Sequence, residues 1–328
     1  MLRFVLRRVA QMIPLLVGIT FLSFVVVDLA PGDFFDTLSM NPSISPDMIR
    51  EMKVEFGYGQ PLPVRYGRWL WRVAHLDLGM SVAYRVGVLD LIASRAMNTV
   101  ILAAASMVFT WALAIPIGVI VALRRGTLLD RSLSFVAFFG MSVPSFFLAF
   151  LLMYAALETG WFPVGGTTSL DYPILSPLGQ IGDRVAHLVL PVIVLGTGGM
   201  ASLMRLMRSQ LLEIQSADYV RTARAKGVPE WLVVSKHILR NAMNPFVTLA
   251  GYELGTLLGG AALVEAVMNL QGLGTLMLDA VRSLDLYLVM GSVLMSSILL
   301  LVGNLLADIA LTMVDPRIDF SRLETTVR

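Results

Sequence analysis

Six stretches of this chain are long and apolar, and four of them contain no Asp, Glu, Lys or Arg at all: Val9–Val27, Asn98–Leu123, Leu133–Leu157 and Val185–Met204. Two more, Met243–Met268 and Tyr287–Val314, contain only isolated acids. A helix needs about twenty such residues to cross roughly 30 Å of hydrocarbon. In lipid the backbone has no water to bond to, so each stretch must close its own hydrogen bonds as a helix. The expected fold class is therefore all-α, a polytopic membrane protein of about six transmembrane helices.

Charged residues make up 15% of the chain, against about a quarter in soluble domains, and they fall in short blocks between the apolar runs. Arg3, Arg7 and Arg8 precede the first run as they would in a signal peptide. That run is too long for an h-region and no small-residue cleavage site follows it, so it is expected to stay as the first span. With the N-terminus in the cytoplasm, Arg124, Arg125, Arg131, Arg205, Arg208, Lys226, Lys236, Arg240 and Arg317 all lie inside, whereas the two short outer loops hold only Arg184 and Arg282. Both termini are accordingly expected in the cytoplasm, in a bacterial or archaeal inner membrane.

Absences narrow the chemistry. Without cysteine there is no disulfide, thiolate or Cys-based metal site. His75, His187 and His237 form no metal-binding pair, and the 19 methionines read as adaptable packing. No metal site, catalytic residue or nucleic-acid partner is expected. No phosphate-binding G-x-x-x-x-G-K-[ST] loop occurs, so ATP and Mg, if used, belong to separate subunits.

The outer segment after the first run looks folded. Ser45-Pro46-Asp47 supplies a cap, a proline at the first helical position and an acid near the dipole, and Gly57 and Gly59 end the helix. Tyr66, Trp69 and Trp71, interleaved with Arg65, Arg68 and Arg72, suit a segment lying at the outer membrane interface. This segment either covers helix ends or docks an external partner.

Glu213–Pro245 is too polar to enter lipid and too patterned for a linker. Ser216–Ala225 reads as a helix capped by Ser216, with Tyr219, Thr222, Ala223 and Lys226 on one side. Gly227 stops it, and Pro229 opens a second helix carrying Trp231, Val234 and Ile238 on another face. A helix, a glycine break and a second helix make a knob projecting from the membrane.

This segment resembles the "EAA" coupling loop of binding-protein-dependent importer permeases. Arg221, Thr222 and Ala223 stand in the E-A-A positions before Gly227, so the eponymous Glu is absent. Asp218–Gly227 and Lys236–Ala242 are similar to the fuller form found in the peptide and nickel importers. The resemblance covers nearly the whole chain. It includes Ala30-Pro31-Gly32-Asp33, the Gly160–Gly166 stretch, Gly272-Leu273-Gly274, Asn304–Asp308 and Asp315-Pro316-Arg317-Ile318. The long first outer segment resembles the B-type subunit. Met268-Asn269-Leu270-Gln271 departs from the family's aromatic and proline before Gly272.

The resemblance implies a type I ABC importer permease-like fold with a cytoplasmic coupling-helix loop. It also implies a homologous second permease subunit, two ABC ATPase subunits and an extracytoplasmic substrate-binding protein as partners, besides membrane lipid. Asp218, Tyr219, Arg221, Thr222, Ala223, Arg224, Ala225, Lys226 and Gly227 would couple to the ATPase. The substrate would be a dipeptide or oligopeptide, with nickel chelates and glutathione-like peptides as alternatives. By region, 1–30 would be a cytoplasmic tip and first span, 31–97 an extracytoplasmic loop region, 98–315 a five-helix core including 213–245, and 316–328 a cytoplasmic tail.

Inside the fifth stretch, Gly251, Gly255 and Gly259 form a small-residue stripe for close helix packing. Glu253 lies on the opposite side, near the bilayer centre, where a carboxylate facing lipid costs about 2.5 kcal/mol or more. It is expected either to line the translocation path or to be buried against a polar group of the partner permease. Glu265, Asp28 and Asp308 lie nearer span ends and are expected to reach headgroups or neighbouring helices. A secondary transporter would instead need inverted repeats and broken helices holding ions, and a membrane enzyme a catalytic pair; neither is evident.

Overall fold

The structure is a computed structural model that describes residues 2–32, 34–39, 45–55, 57, 59–246, 249–250, 253 and 261–314. Among the described residues regular structure is almost wholly helical, with a single isolated bridge between Met80 and Gly87. Among the described residues four helices are long and apolar enough to cross a membrane: α1 (Leu2–Asp28), α5 (Val88–Leu123), α8 (Pro177–Gln215) and α14 (Leu286–Val314).

The expected single span Leu133–Leu157 is instead two helices, α6 (Leu128–Ser142) and α7 (Ser145–Thr159), bent by 101°. Pro144 is the cause. It has no N–H to continue the ladder, and its ring pushes Val143 into an extended conformation at φ −83°, ψ 123°. Of the expected fifth span, Met243–Met268, residues 247–248, 251–252 and 254–260 lie outside the described residues, Gly251, Gly255 and Gly259 among them.

Packing divides the chain into two compact units, one of residues 1–100 with 271–301 and one of 101–270 with 302–328. This cuts across the four regions expected along the sequence, because α5 and α14 each begin in the first unit and end in the second.

In the first unit, α2 (Phe34–Ser39), α3 (Pro46–Glu55) and α4 (Leu62–Ala74) follow α1. Ser45 Oγ accepts from the Asp47 N–H at 3.3 Å, as the cap pattern requires. The helix α4 packs on α1. The Tyr66 hydroxyl donates to the Val17 carbonyl at 2.9 Å and lies 3.0 Å from the Thr20 hydroxyl, while Arg65 pairs with Asp28 at 2.5 Å. Tyr66 and Trp69 are therefore core residues, in the same cluster as Phe24, Ile92 and Leu288, and not part of an interfacial belt. Of the three aromatics only Trp71 is exposed. The unit is completed by α13 (Leu273–Arg282) and the start of α14.

In the second unit α6 and α7 pack on α8, and α12 (Ala262–Val267) on α7. Asp130, which would be a costly lone charge, is buried at the start of α6; it accepts from the Gly126 N–H at 2.9 Å and pairs with Arg208 of α8 at 3.2 Å. Glu265, expected to reach headgroups or neighbouring helices, is fully buried on α12, a short helix enclosed by its neighbours in this unit, which leaves the second alternative.

Candidate functional site

The polar segment after α8 folds into a knob. The Ser216 hydroxyl donates to the Glu213 carbonyl at 2.7 Å, so Ser216 closes α8 and does not cap the next helix. The chain turns at Ala217, and α9 (Asp218–Ala225) starts without a side-chain cap but with Asp218 in its first turn and Arg224 in its last, both favourable to the helix dipole. Its end is a Schellman turn. Gly227 N–H bonds the Arg224 carbonyl, Val228 N–H bonds the Ala223 carbonyl, and Gly227 takes φ +76°, a conformation glycine adopts without penalty.

Pro229 then opens α10 (Glu230–Leu232), which continues without a break as a π-helix over Val233–Leu239 and as α11 (Arg240–Ala242). A π-helix closes i→i+5 bonds and is rare in proteins. Here it brings Val233 and Ile238, five residues apart, to the same inner face, where both are fully buried. They meet Val220 and Ala223 of α9 and Met207 and Leu211 of α8 in one apolar cluster. Burial of side chains of this size stabilises by about 1.5–3 kcal/mol each. The knob is thus welded to α8 by its own core.

Of the residues expected to couple to a partner, Ala223 is turned inward to this cluster, because α9 needs an inner face and residues 220 and 223 supply it at helical spacing. Asp218, Tyr219, Arg221, Thr222, Arg224, Ala225, Lys226 and Gly227 are all exposed. Trp231, expected on a helix face with Ile238, is 70% exposed and points away from it. Asn241 donates to the Tyr219 hydroxyl at 3.2 Å and to the His237 carbonyl at 2.8 Å, tying the π-helix to α9. Across the turn, Arg224 grips Glu230 with two bonds, which hold the Glu230 carboxyl below, and the guanidinium above, their ordinary ranges.

A second polar feature lies within the membrane-crossing length. Glu253 Oε2 accepts from the Trp111 indole N–H at 2.5 Å, and both side chains are half-buried. Trp111 also meets Phe246 edge-on at 5.9 Å. Sequence reading singled out Glu253 and missed Trp111. The available signal was an indole N–H far from either end of an apolar run, which needs an acceptor in hydrocarbon.

Comparison with known proteins fits this architecture. Residues 114–320 match the family model "Binding-protein-dependent transport system inner membrane component", and residues 1–103 match the N-terminal model of the same membrane component. The chain is 38% identical to the oligopeptide transport system permease protein AppB of Bacillus subtilis, over 98% of this chain and all of the relative. It is 37% identical to the dipeptide transport system permease protein DppB of Escherichia coli K12, over 97% of this chain and 99% of the relative. Among solved structures, the MetNI methionine ABC transporter in an inward-facing conformation superposes with a TM-score of 0.53 at 22% identity, over 69% of this chain and 97% of the matched one, a likeness of fold. Long apolar helices, a helical knob and matches to the two family models over residues 1–103 and 114–320 make this chain a member of the family of inner-membrane components of binding-protein-dependent transport systems.

Proposed function

We propose that this chain is one of two homologous permease subunits of an ATP-driven importer of dipeptides or oligopeptides. The observation that carries this reading is the near-complete alignment with two peptide permeases at 37–38% identity.

In this reading the exposed side of α9, from Asp218 to Gly227, and Trp231 beside it seat in the ATPase subunits on the cytoplasmic side, where both chain termini also lie. ATP and Mg are held by those two ATPases. Closure of the ATPases displaces α9. Because α9 shares a core with the base of α8, the displacement reaches the membrane as a rigid movement of α8. A chain that performs only this mechanical step needs no catalytic group of its own. The peptide is delivered from outside by a binding protein and crosses between the two permeases, with Glu253 on its path.

The test is co-purification of the tagged chain in mild detergent from cells expressing the whole transport operon. Recovery of a second permease and two P-loop ATPases, with peptide-stimulated ATP hydrolysis, supports the proposal. A chain that transports peptide alone in vesicles overturns it.

A further inference from the structure

Two sides of α8 carry different attachments at the same level. Met204, Met207 and Leu211 face the knob, in the cluster that holds Val220, Val233 and Ile238. Arg208 lies between them in sequence but reaches α6, where its Nη2 donates to Asp130 Oδ2 at 3.2 Å.

The helix α6 runs antiparallel to α8 along this second side. Ser202 faces Met141, with the hydroxyl 3.9 Å from the sulfur, Arg205 lies 5.0 Å over the Phe138 ring, and Arg208 pairs with Asp130. The first two contacts tolerate sliding, because a thioether is a weak acceptor and a ring attracts a cation over its whole face. The third does not. The Asp130 carboxylate also accepts from the Gly126 N–H at 2.9 Å and the Ser134 hydroxyl at 3.4 Å, and the Asp130 N–H bonds the Thr127 hydroxyl at 3.3 Å. Asp130 is thereby built into the turn between α5 and α6, and Arg208 fastens that turn to α8.

Stability is a poor account of this pair. Removing two charges from water costs as much as their attraction returns unless the remaining donors find acceptors. Here the Arg208 Nε–H is buried and meets no acceptor among the described residues. An apolar pair of similar volume would hold the two helices together at least as well. What an ion pair adds is register, since a shift of either helix along its axis breaks it while aliphatic contacts re-form. Register counts here because α6 continues, through the bend at Pro144, into α7.

We infer that the Arg208–Asp130 pair is the link that carries movement of the knob into α6. The knob takes α8 with it through their shared core, and α6 follows because the pair holds it in register with α8. The inference rests on the reading of this chain as an ATP-driven permease whose knob meets the ATPases. Arg208 and Asp130 are positioning residues, and neither touches the peptide.

The experiment uses the whole complex, with its binding protein, in proteoliposomes, and measures peptide uptake and ATP hydrolysis in the same preparation. The natural chain is compared with the double variant Asp130→Asn, Arg208→Met. This removes both charges, keeps an amide oxygen for the Gly126 N–H and fills the space of the arginine stem. The expected result is about a tenfold fall in peptide taken up per ATP hydrolysed, within the usual range of coupling between sites, at a melting temperature near the natural one. Arg208→Met alone, which leaves Asp130 its bonds to Gly126 and Ser134, is the readout if the double variant does not assemble.

A cross-link then replaces the ion pair. The chain contains no cysteine, so Met141→Cys and Ser202→Cys can be added to the uncoupled variant and joined by a short bifunctional thiol reagent. Joining them should restore the ratio of uptake to hydrolysis. An unchanged ratio in the uncharged variant, or a lowered ratio that the cross-link leaves as it is, overturns the inference while the permease reading stands. Absence of peptide-stimulated ATP hydrolysis in the natural complex would overturn that reading, and the inference with it.

Discussion

Arg224 and Glu230 clasp each other across the turn at Gly227, guanidinium Nε to Oε2 at 3.1 Å and Nη2 to Oε1 at 2.6 Å. The side chains are 39% and 58% exposed, so solvent screens the pair and it contributes no more than about 1 kcal/mol. Its larger effect is geometric. The two planar groups fix the last turn of α9 against the first turn of α10, and the surface that a partner would meet is presented in one arrangement.

That pair gives the knob a pH dependence. The hydrogen bonds from Arg224 hold the Glu230 carboxyl below its ordinary value of 4.5. A depressed carboxylate contributes stability above its unfolded value and loses it as the pH falls through the lower folded one. Amide exchange around the turn should be flat from neutral pH down to about 5, once intrinsic rates are removed, and protection should fall below 4.5. In Arg224→Ala this acid-dependent component should vanish. Its persistence there would place the titration on another group.

Gly227→Ala tests the turn directly. At φ +76° an alanine carries a left-handed strain of about 1–2 kcal/mol. The Schellman turn should fray or shift, with little change in total helix content because the spans are untouched. The expected readout is reduced recovery of the ATPase subunits at unchanged far-UV circular dichroism. Full recovery would mean that the turn's geometry is not what the partner reads.

The inner and outer sides of the knob should separate by different measurements. Ile238 is fully buried, and Ile238→Ala leaves a cavity that should destabilise by about 2–5 kcal/mol, seen as a lower melting temperature in detergent. Trp231 is 70% exposed, and Trp231→Ala should move stability by no more than about 0.5 kcal/mol. In the reading proposed above, the tryptophan variant nevertheless loses ATPase subunits on purification. If the two variants behave alike, Trp231 is a structural residue and the partner sits elsewhere.

Much of this architecture can be read directly from the chain, and the reason differs from part to part. Apolar length identifies α1, α5, α8 and α14 because lipid imposes a single solution on the backbone. The start of α3 and the end of α9 depend on local chemistry, Ser45-Pro46-Asp47 and Gly227, and local chemistry is visible in sequence. The break at Pro144 had a local signal too, but apolar length outweighed it in a reading based on hydropathy. Other features are tertiary. The inward turn of Tyr66 and Trp69 depends on α4 docking on α1, and the burial of Ala223 on α9 lying over α8. The π-helix follows from the need to bring both Val233 and Ile238 to one face, a demand made by the core beneath them. Trp111 and Glu253 are 142 residues apart, and no periodicity joins residues at that separation.

Asp285 offers the sharpest stability test outside the knob. It is fully buried, and its carboxylate accepts from the Ser81 hydroxyl at 2.6 Å, the Ala83 N–H at 3.0 Å and the Leu288 N–H at 3.2 Å. It thereby caps α14 and pins the loop bearing the Met80–Gly87 bridge. The same neighbourhood holds three non-glycine residues in the left-handed region, Leu76, Arg85 and Leu284, each costing of order 1 kcal/mol. That strain persists only while the anchor holds. Asp285→Ala would orphan three donors and should cost about 3 kcal/mol or more, whereas Asp285→Asn keeps one acceptor oxygen and should cost less. Because the strained residues flank the loop, the first event on losing the anchor should be local opening. Amide exchange over residues 76–88 should therefore rise by a larger factor than the shift in melting temperature implies. An equal change by both measures would show that this loop unfolds only with the unit as a whole.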